Sequence, residues 1–269
     1  MAVPIPAAAI SELEQAASRN GYPADPVEQA DWILLRSPWT RHELLATVNG
    51  SAFIVATFSI RVAAEAAREF ATWSGTLPQG TAQAFIATSS AALHTLIGRL
   101  YRLALSLPPE PLLDFEKQVA DLPRGTEAER LAVQRIGQDV FRKSLMEYWG
   151  GRCPITGLEQ PELLRASHIK PWADCATDAE RLDVFNGLLL GAHIDAAFDS
   201  ALISFADDGT LITSSRLMQR SREVLGLKEG MRIDGLTPRH ANYLAWHRRL
   251  LSENSGVHVI IEVTKPGAS

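Results

Sequence analysis

Three runs decide how this chain is read: Arg165-Ala166-Ser167-His168-Ile169-Lys170-Pro171-Trp172, then Asn186-Gly187-Leu188-Leu189-Leu190, then His193-Ile194-Asp195-Ala196-Ala197-Phe198-Asp199. The first lies in an apolar strand over 163–169 that Pro171 must stop, because proline cannot donate to a β ladder. His168 therefore belongs at a strand end. The second run supplies another short strand, 188–190. The third has helical spacing, with Ile194, Ala197 and Phe198 on its apolar side. Asp195 and Asp199, four residues apart, project their carboxylates from one face of that helix, about 6 Å apart at Cβ. The order is strand, strand, helix.

Those residue types carry chemistry. Two neighbouring carboxylates share a hard cation and repel without one. A neutral imidazole at a strand end can take a proton from water near neutral pH. The Asn186 amide can hydrogen-bond that histidine or the backbone. Each residue also has a plain structural reading: solvated acids on a helix face, a satisfied core histidine, an Asn-Gly turn.

Working outward, Leu202–Phe205 and Thr210–Thr213 read as strands around the turn Asp207-Asp208-Gly209. Helices are expected over 215–225 and 238–251, the latter with Thr237 as N-cap and Pro238 at its first position. A last strand is expected over 257–263. Upstream, Thr126-Glu127-Ala128-Glu129 is a capping box that opens a helix bearing Val133, Ile136, Val140, Leu145 and Tyr148. It should run to Trp149, stop at Gly150-Gly151 and give way to a β-like piece over 152–156. In the first half, Thr40-Arg41-His42-Glu43 has capping-box form and predicts a helix start. Residues 83–106 read as one helix, with Phe85, Leu93, Leu96, Ile97, Leu100, Leu103 and Leu105 spaced mostly by three and four. The expectation is an α+β protein with a mainly helical N-terminal domain, 1–125, and a second domain, 126–269.

At 269 residues the chain is long enough for one or two domains with a substantial core. Its 46% apolar and 21% charged residues exclude wholesale disorder and collagen-like or coiled-coil structure. With 26 basic against 31 acidic residues the formal net charge is −5, so any nucleic-acid contact must be local. Cys153 and Cys175 are too few for a disulfide framework or a four-cysteine zinc site. The N-terminus has no basic leader region, and the longest apolar stretch, 51–60, is about half a membrane span. A cytoplasmic protein with no membrane partner is expected.

Taken together with Arg152-Cys153-Pro154-Ile155-Thr156-Gly157, the three runs resemble the HNH endonuclease family, more closely restriction-type bacterial HNH proteins that carry the domain at the C-terminus. The resemblance covers roughly 126–255. It implies a ββα-metal (His-Me finger) nuclease domain with flanking helices and one-metal hydrolysis of DNA phosphodiesters in restriction or defence against foreign DNA. On the family pattern, His168 matches the general base and Asn186 the central asparagine that orients it. Asp195 and Asp199 match the helix's metal-ligand positions, with His193 as a further ligand. The cofactor would be Mg²⁺ or Mn²⁺. Arg165, Lys170 and Arg181 flank the base and are candidate phosphate contacts. DNA is the expected partner, and a homodimer is expected because a double-strand cut is easier with two sites. Ser167 departs from the pattern, since many members place Asp or His before the base. The competing class is therefore a catalytically degenerate DNA-binding module on the same scaffold.

Overall fold

A computed structural model describes residues 5–123 and 125–255, so the strand expected over 257–263 lies outside the described residues. The chain divides into two compact units, 1–114 and 115–269.

The N-terminal unit is built on a five-stranded antiparallel sheet in the order β1-β2-β3-β4-β5: Val27–Gln29, Trp32–Leu35, Leu44–Asn49, Ala52–Thr57 and Gln83–Ala87. This corrects the expectation of a mainly helical N-terminal domain. Thr40-Arg41-His42-Glu43 starts no helix: the Thr40 hydroxyl accepts from the His42 amide at 3.2 Å, a local turn that leads into β3. Gly50, at φ +63°, closes the β3–β4 hairpin, in which Asn49 pairs with Ala52. The stretch 83–106 is a strand followed by a helix, because the Ser89 hydroxyl accepts from the Ala92 amide and begins α3 there.

Helices α2 (Ile60–Ala66) and α3 (Ser90–Ser106) pack on one sheet face, and α1 (Ala7–Arg19) packs on α3. There Ile33, Leu35, Ala46, Val55 and Phe85 are fully buried. The other face presents the row Leu34, Leu45, Ala56 and Ala84, whose register runs straight across four strands. It is covered by partly buried Trp32, Trp73 and Leu77 rather than by a helix. α4 (Glu110–Val119) spans the division between the units.

In the C-terminal unit, α5 (Glu127–Tyr148) starts at the expected capping box: the Glu129 amide donates to Thr126 Oγ1 at 3.2 Å, and the Thr126 amide donates to Glu129 Oε2 at 2.8 Å. Residues 152–156 form no strand. They make a tight loop closed by the Cys153 amide on the Leu158 carbonyl and the Gly157 amide on the Cys153 carbonyl. β6 (Leu164–His168) and β7 (Gly187–Gly191) form an antiparallel ribbon, and α7 (Ala192–Asp199) follows β7 directly. α6 (Asp178–Arg181) lies in the connection between the two strands. A second ribbon pairs β8 (Ile203–Phe205) with β9 (Leu211–Thr213), followed by α8 (Gln219–Val224) and α9 (Pro238–Ser255).

α9 fixes α7 through one side chain. The buried His247 ring stacks on Phe198 with centroids 3.8 Å apart and planes 4° apart. Its Nε2 donates to the Phe198 carbonyl at 3.1 Å, and its Nδ1 accepts from the Ser204 hydroxyl at 3.0 Å. No helix among the described residues is long and apolar enough to cross a membrane.

Candidate active site

The β6–β7 ribbon pairs His168 with Gly187 and Ser167 with Leu188. Successive side chains of a strand point to opposite faces, so Ser167 and His168 serve different sides of the ribbon. His168 faces α5. Its ring stacks on Phe141 at 3.7 Å and 16°, and Trp172 meets it edge-on at 5.7 Å. Gly187 is required opposite it, because a Cβ there would lie 2.5 Å from the Phe141 ring. Gly137 on α5 likewise leaves space for the Trp172 indole, which a Cβ would approach to 2.4 Å.

His168 Nε2 lies 2.8 Å from the Arg181 carbonyl oxygen. A carbonyl only accepts, so Nε2 carries the ring proton and Nδ1 keeps its lone pair. Burial pushes the pKa down to about 4, against the smaller upward pull of the Arg181 carbonyl. The imidazole is therefore neutral at physiological pH.

The Arg181 carbonyl is held by the fold of the connection. The Arg181 guanidinium donates from Nε to the Trp172 carbonyl at 3.1 Å and from Nη2 to the Cys175 carbonyl at 2.7 Å, and Nη1 pairs with Asp178 at 2.9 Å. Its donors serve the loop rather than the surrounding solution. Lys170 is engaged as well, in a 2.7 Å ion pair with Glu180. That contact raises the Lys170 pKa and lowers that of Glu180. Of the three candidate phosphate contacts, Arg165 is exposed, with Nη1 on the carbonyls of Glu162 and Leu164.

Asn186 is completely buried, and its amide is used on the backbone, not on the histidine ring. Oδ1 accepts from the Lys170 amide at 2.8 Å, while Nδ2 faces the Lys170 carbonyl at 3.2 Å and Cys175 Sγ at 3.3 Å. Of the two partners open to the Asn186 amide, the histidine ring or the backbone, the structure shows the backbone, a clamp on Lys170. The side chain was already committed to closing the loop that carries the Arg181 carbonyl.

On the other side of the ribbon, Ser167 faces α7. Its buried hydroxyl finds no hydrogen-bond partner of ordinary geometry among the described residues. It is nevertheless near enough to the Asp195 carboxylate to lower that group's pKa. Burial dominates at Asp195 and raises its pKa, with the Asp199 charge adding to the rise and Arg165 opposing it. The structure therefore brings Asp195, Asp199, Ser167 and Arg165 together. His193 is exposed and turned elsewhere, lining a groove with Ala196, Ala197 and α8. Two positions along a helix are about 200° apart, which puts it on the far side from Asp195. Among the described residues no three His, Cys, Asp or Glu side chains cluster closely enough to hold a metal.

Phe141, Trp172 and the Arg181 carbonyl are the parts of the site that sequence reasoning missed. Phe141 sits beside Val140 in the α5 stripe and was visible only as core. A backbone carbonyl has no residue type to mark it.

The C-terminal unit thus presents a helix-flanked antiparallel ribbon with a neutral histidine on one side and paired carboxylates on the other. Residues 153–206 match the model of a family described as HNH endonuclease, in the C-terminal part of the chain. The matched segment contains all eight candidate site residues. It identifies an HNH endonuclease domain there, which points to nucleic acid as what the chain acts on. No curated protein matches the chain.

Proposed function

We propose that the C-terminal unit is a metal-dependent DNA endonuclease of the ββα-metal type, acting in restriction or defence against foreign DNA, with His168 as general base. The observation that carries this reading is the state of the imidazole: Nε2–H anchored on a backbone carbonyl, Nδ1 without a hydrogen-bond partner among the described residues, and the ring neutral. Such a ring can accept a proton from a water molecule attacking phosphorus. A pKa near 4 makes it a weak base, and the negative charge of an approaching phosphodiester raises that value towards neutrality.

The carboxylate side fits a hard divalent cation. Asp195 and Asp199 supply oxygen donors from one helix face, and the buried Ser167 hydroxyl, which lowers the Asp195 pKa, adds a polar atom beside them. Mg²⁺ sites commonly use only one or two carboxylates and leave the remaining positions to water and phosphate. Asp195 and Asp199 would hold Mg²⁺ or Mn²⁺, which when bound stabilises the charge that builds on the phosphate and its leaving oxygen. Arg165, exposed beside Asp195, can hold a backbone phosphate, a contact that carries no base information. Lys170 and Arg181 shape the loop. A double-strand cut calls for two copies of the site, so the homodimer belongs to this reading, and sedimentation with and without DNA tests it.

The test is cleavage of supercoiled plasmid by the wild type and His168→Ala in Mg²⁺, Mn²⁺ or EDTA. Metal-dependent nicking should fall by about 10²–10⁴-fold in the variant, the usual contribution of a general base, with DNA binding kept. The neutral Ser167 favours one other reading, a DNA-binding module without catalysis. Equal binding and no cutting by both proteins would establish it.

A further inference from the structure

The helix-free face of the N-terminal sheet carries a cleft of about 790 Å³. That is within the range of small-molecule sites, about 300–1,000 Å³. Trp32 and Trp73 line it, their ring centroids 6.0 Å apart and their planes at 68°. Trp73 is fixed in place: its amide donates to the Ala84 carbonyl at 2.8 Å, and Gln83 Nε2 donates to its carbonyl at 3.2 Å. Its indole folds back over Gly75, where a Cβ would lie 2.2 Å from the ring. The glycine is thus part of how the aromatic wall is built.

Around these rings stand Gln29, Asp31, Asn49 and Gln79, and no hydrogen bond engages their side-chain polar groups among the described residues. The turn that presents Gln29 and Asp31 is tied down by the Thr47 hydroxyl, which donates to the Asp31 carbonyl. Among the described residues neither lysine nor arginine lines the cleft. Flat aromatic walls with amide and carboxylate groups at the edge suit a planar heterocycle that has donors and acceptors on its rim. The lack of cations excludes a groove that tracks a phosphate backbone. Aromatic side chains stack on any nucleobase, and amide side chains pair with base edges.

We propose that this cleft binds a single nucleobase, stacked on Trp73, with its edge facing Asp31 and the neighbouring amides. That the base comes from DNA rests on the nuclease reading above. A free nucleotide presents the same chemistry.

The experiment uses the full chain with His168→Ala, in EDTA, so that binding is read without cutting. The probe is a DNA duplex carrying one unpaired 2-aminopurine, whose fluorescence is quenched by stacking. Quenching is expected, with little dependence on salt, and affinity should fall about tenfold in Trp73→Ala, as for the loss of one stacked base. Gly75→Ala, which displaces the indole without removing it, should behave alike, and Asp31→Asn should weaken binding in a protein whose aromatic wall is intact. Competition by deoxynucleoside monophosphates identifies free nucleotides as the source, and competition by DNA alone identifies a base within the polymer. If no probe is quenched, or if all three variants bind as tightly as the parent, the proposal is overturned. Cleavage by the chain with His168 intact is scored separately: cutting without base capture defeats only the cleft, and base capture without cutting defeats only the nuclease reading.

Discussion

Phe141→Ala removes the ring that covers one face of the His168 imidazole at 3.7 Å. Burial holds His168 at about 4, against 6.5 for an unperturbed histidine. The difference corresponds to ~3 kcal/mol at about 1.4 kcal/mol per unit. Opening one face, with Trp172 and the Arg181 carbonyl still in place, should return roughly a third to a half of that and raise the pKa by about one unit. The assay is an NMR titration of the His168 Cε1 proton in metal-free protein, beside the pH dependence of plasmid nicking, whose acid limb should move the same way. Stability follows with a definite sign. A depressed histidine pKa means that the unfolded chain takes up its proton first, so stability is full above pH 6.5 and falls as the pH drops towards 4. The variant should begin about 3 kcal/mol less stable, because a phenyl-sized cavity is left, but should lose less on acidification. A wild-type His168 titrating near 6.5, or a value unmoved by Phe141→Ala, would refute the assignment of the shift to burial under that ring.

Other perturbations have equally definite outcomes. Ser167→Asp places a third acid beside Asp195; the melting temperature should fall in EDTA and rise with added Mn²⁺ by more than in wild type, read by scanning calorimetry. Asn186→Ala leaves the Lys170 amide and carbonyl without their side-chain partner, and urea unfolding should show a loss of about 2–4 kcal/mol, together with reduced cleavage. His247→Leu should cost a similar amount, because the Phe198 carbonyl and Ser204 hydroxyl lose their partner. It should also flatten the stability profile between pH 6.5 and 4, since burial pushes the His247 pKa to about 4 as well.

Of the C-terminal elements, α5, the β6–β7 ribbon and α7 were legible because local signals and tertiary demands agree there, whereas the β-like piece expected over 152–156 is a loop. The Thr126 capping box, the Pro171 stop after β6 and the apolar spacing of Ile194, Ala197 and Phe198 each point to the element that forms. The N-terminal sheet was not read, because its strands Leu44–Asn49 and Ala52–Thr57 mix alanine with β-branched residues and are buried without clean alternation. Asn49-Gly50 between two apolar runs was the available hairpin signal. Thr40 and Glu43 have the spacing of a capping box but satisfy only a turn, since strand pairing of the following residues outweighs a helix start. At the candidate site, the resemblance to the HNH family singled out the histidine, the asparagine and both acids, all of which lie inside the matched segment. Residue type was silent on which partner each side chain takes, because the buried Asn186 amide answers to loop carbonyls distant in sequence.

The segment that matches the HNH family model, 153–206, leaves out three of its own supports. Phe141 on α5 covers the His168 ring, Leu145 on α5 closes over Gly187, and His247 on α9 pins Phe198 at the end of the carboxylate-bearing helix. Each comes from a helix beyond the matched ends. A peptide cut to the recognisable motif would therefore carry all the candidate site residues and still lack the walls that keep the imidazole neutral and hold the end of α7 in place. The smallest active piece should begin at the Thr126 cap and extend through α9, about two and a half times as long as the pattern by which it is recognised.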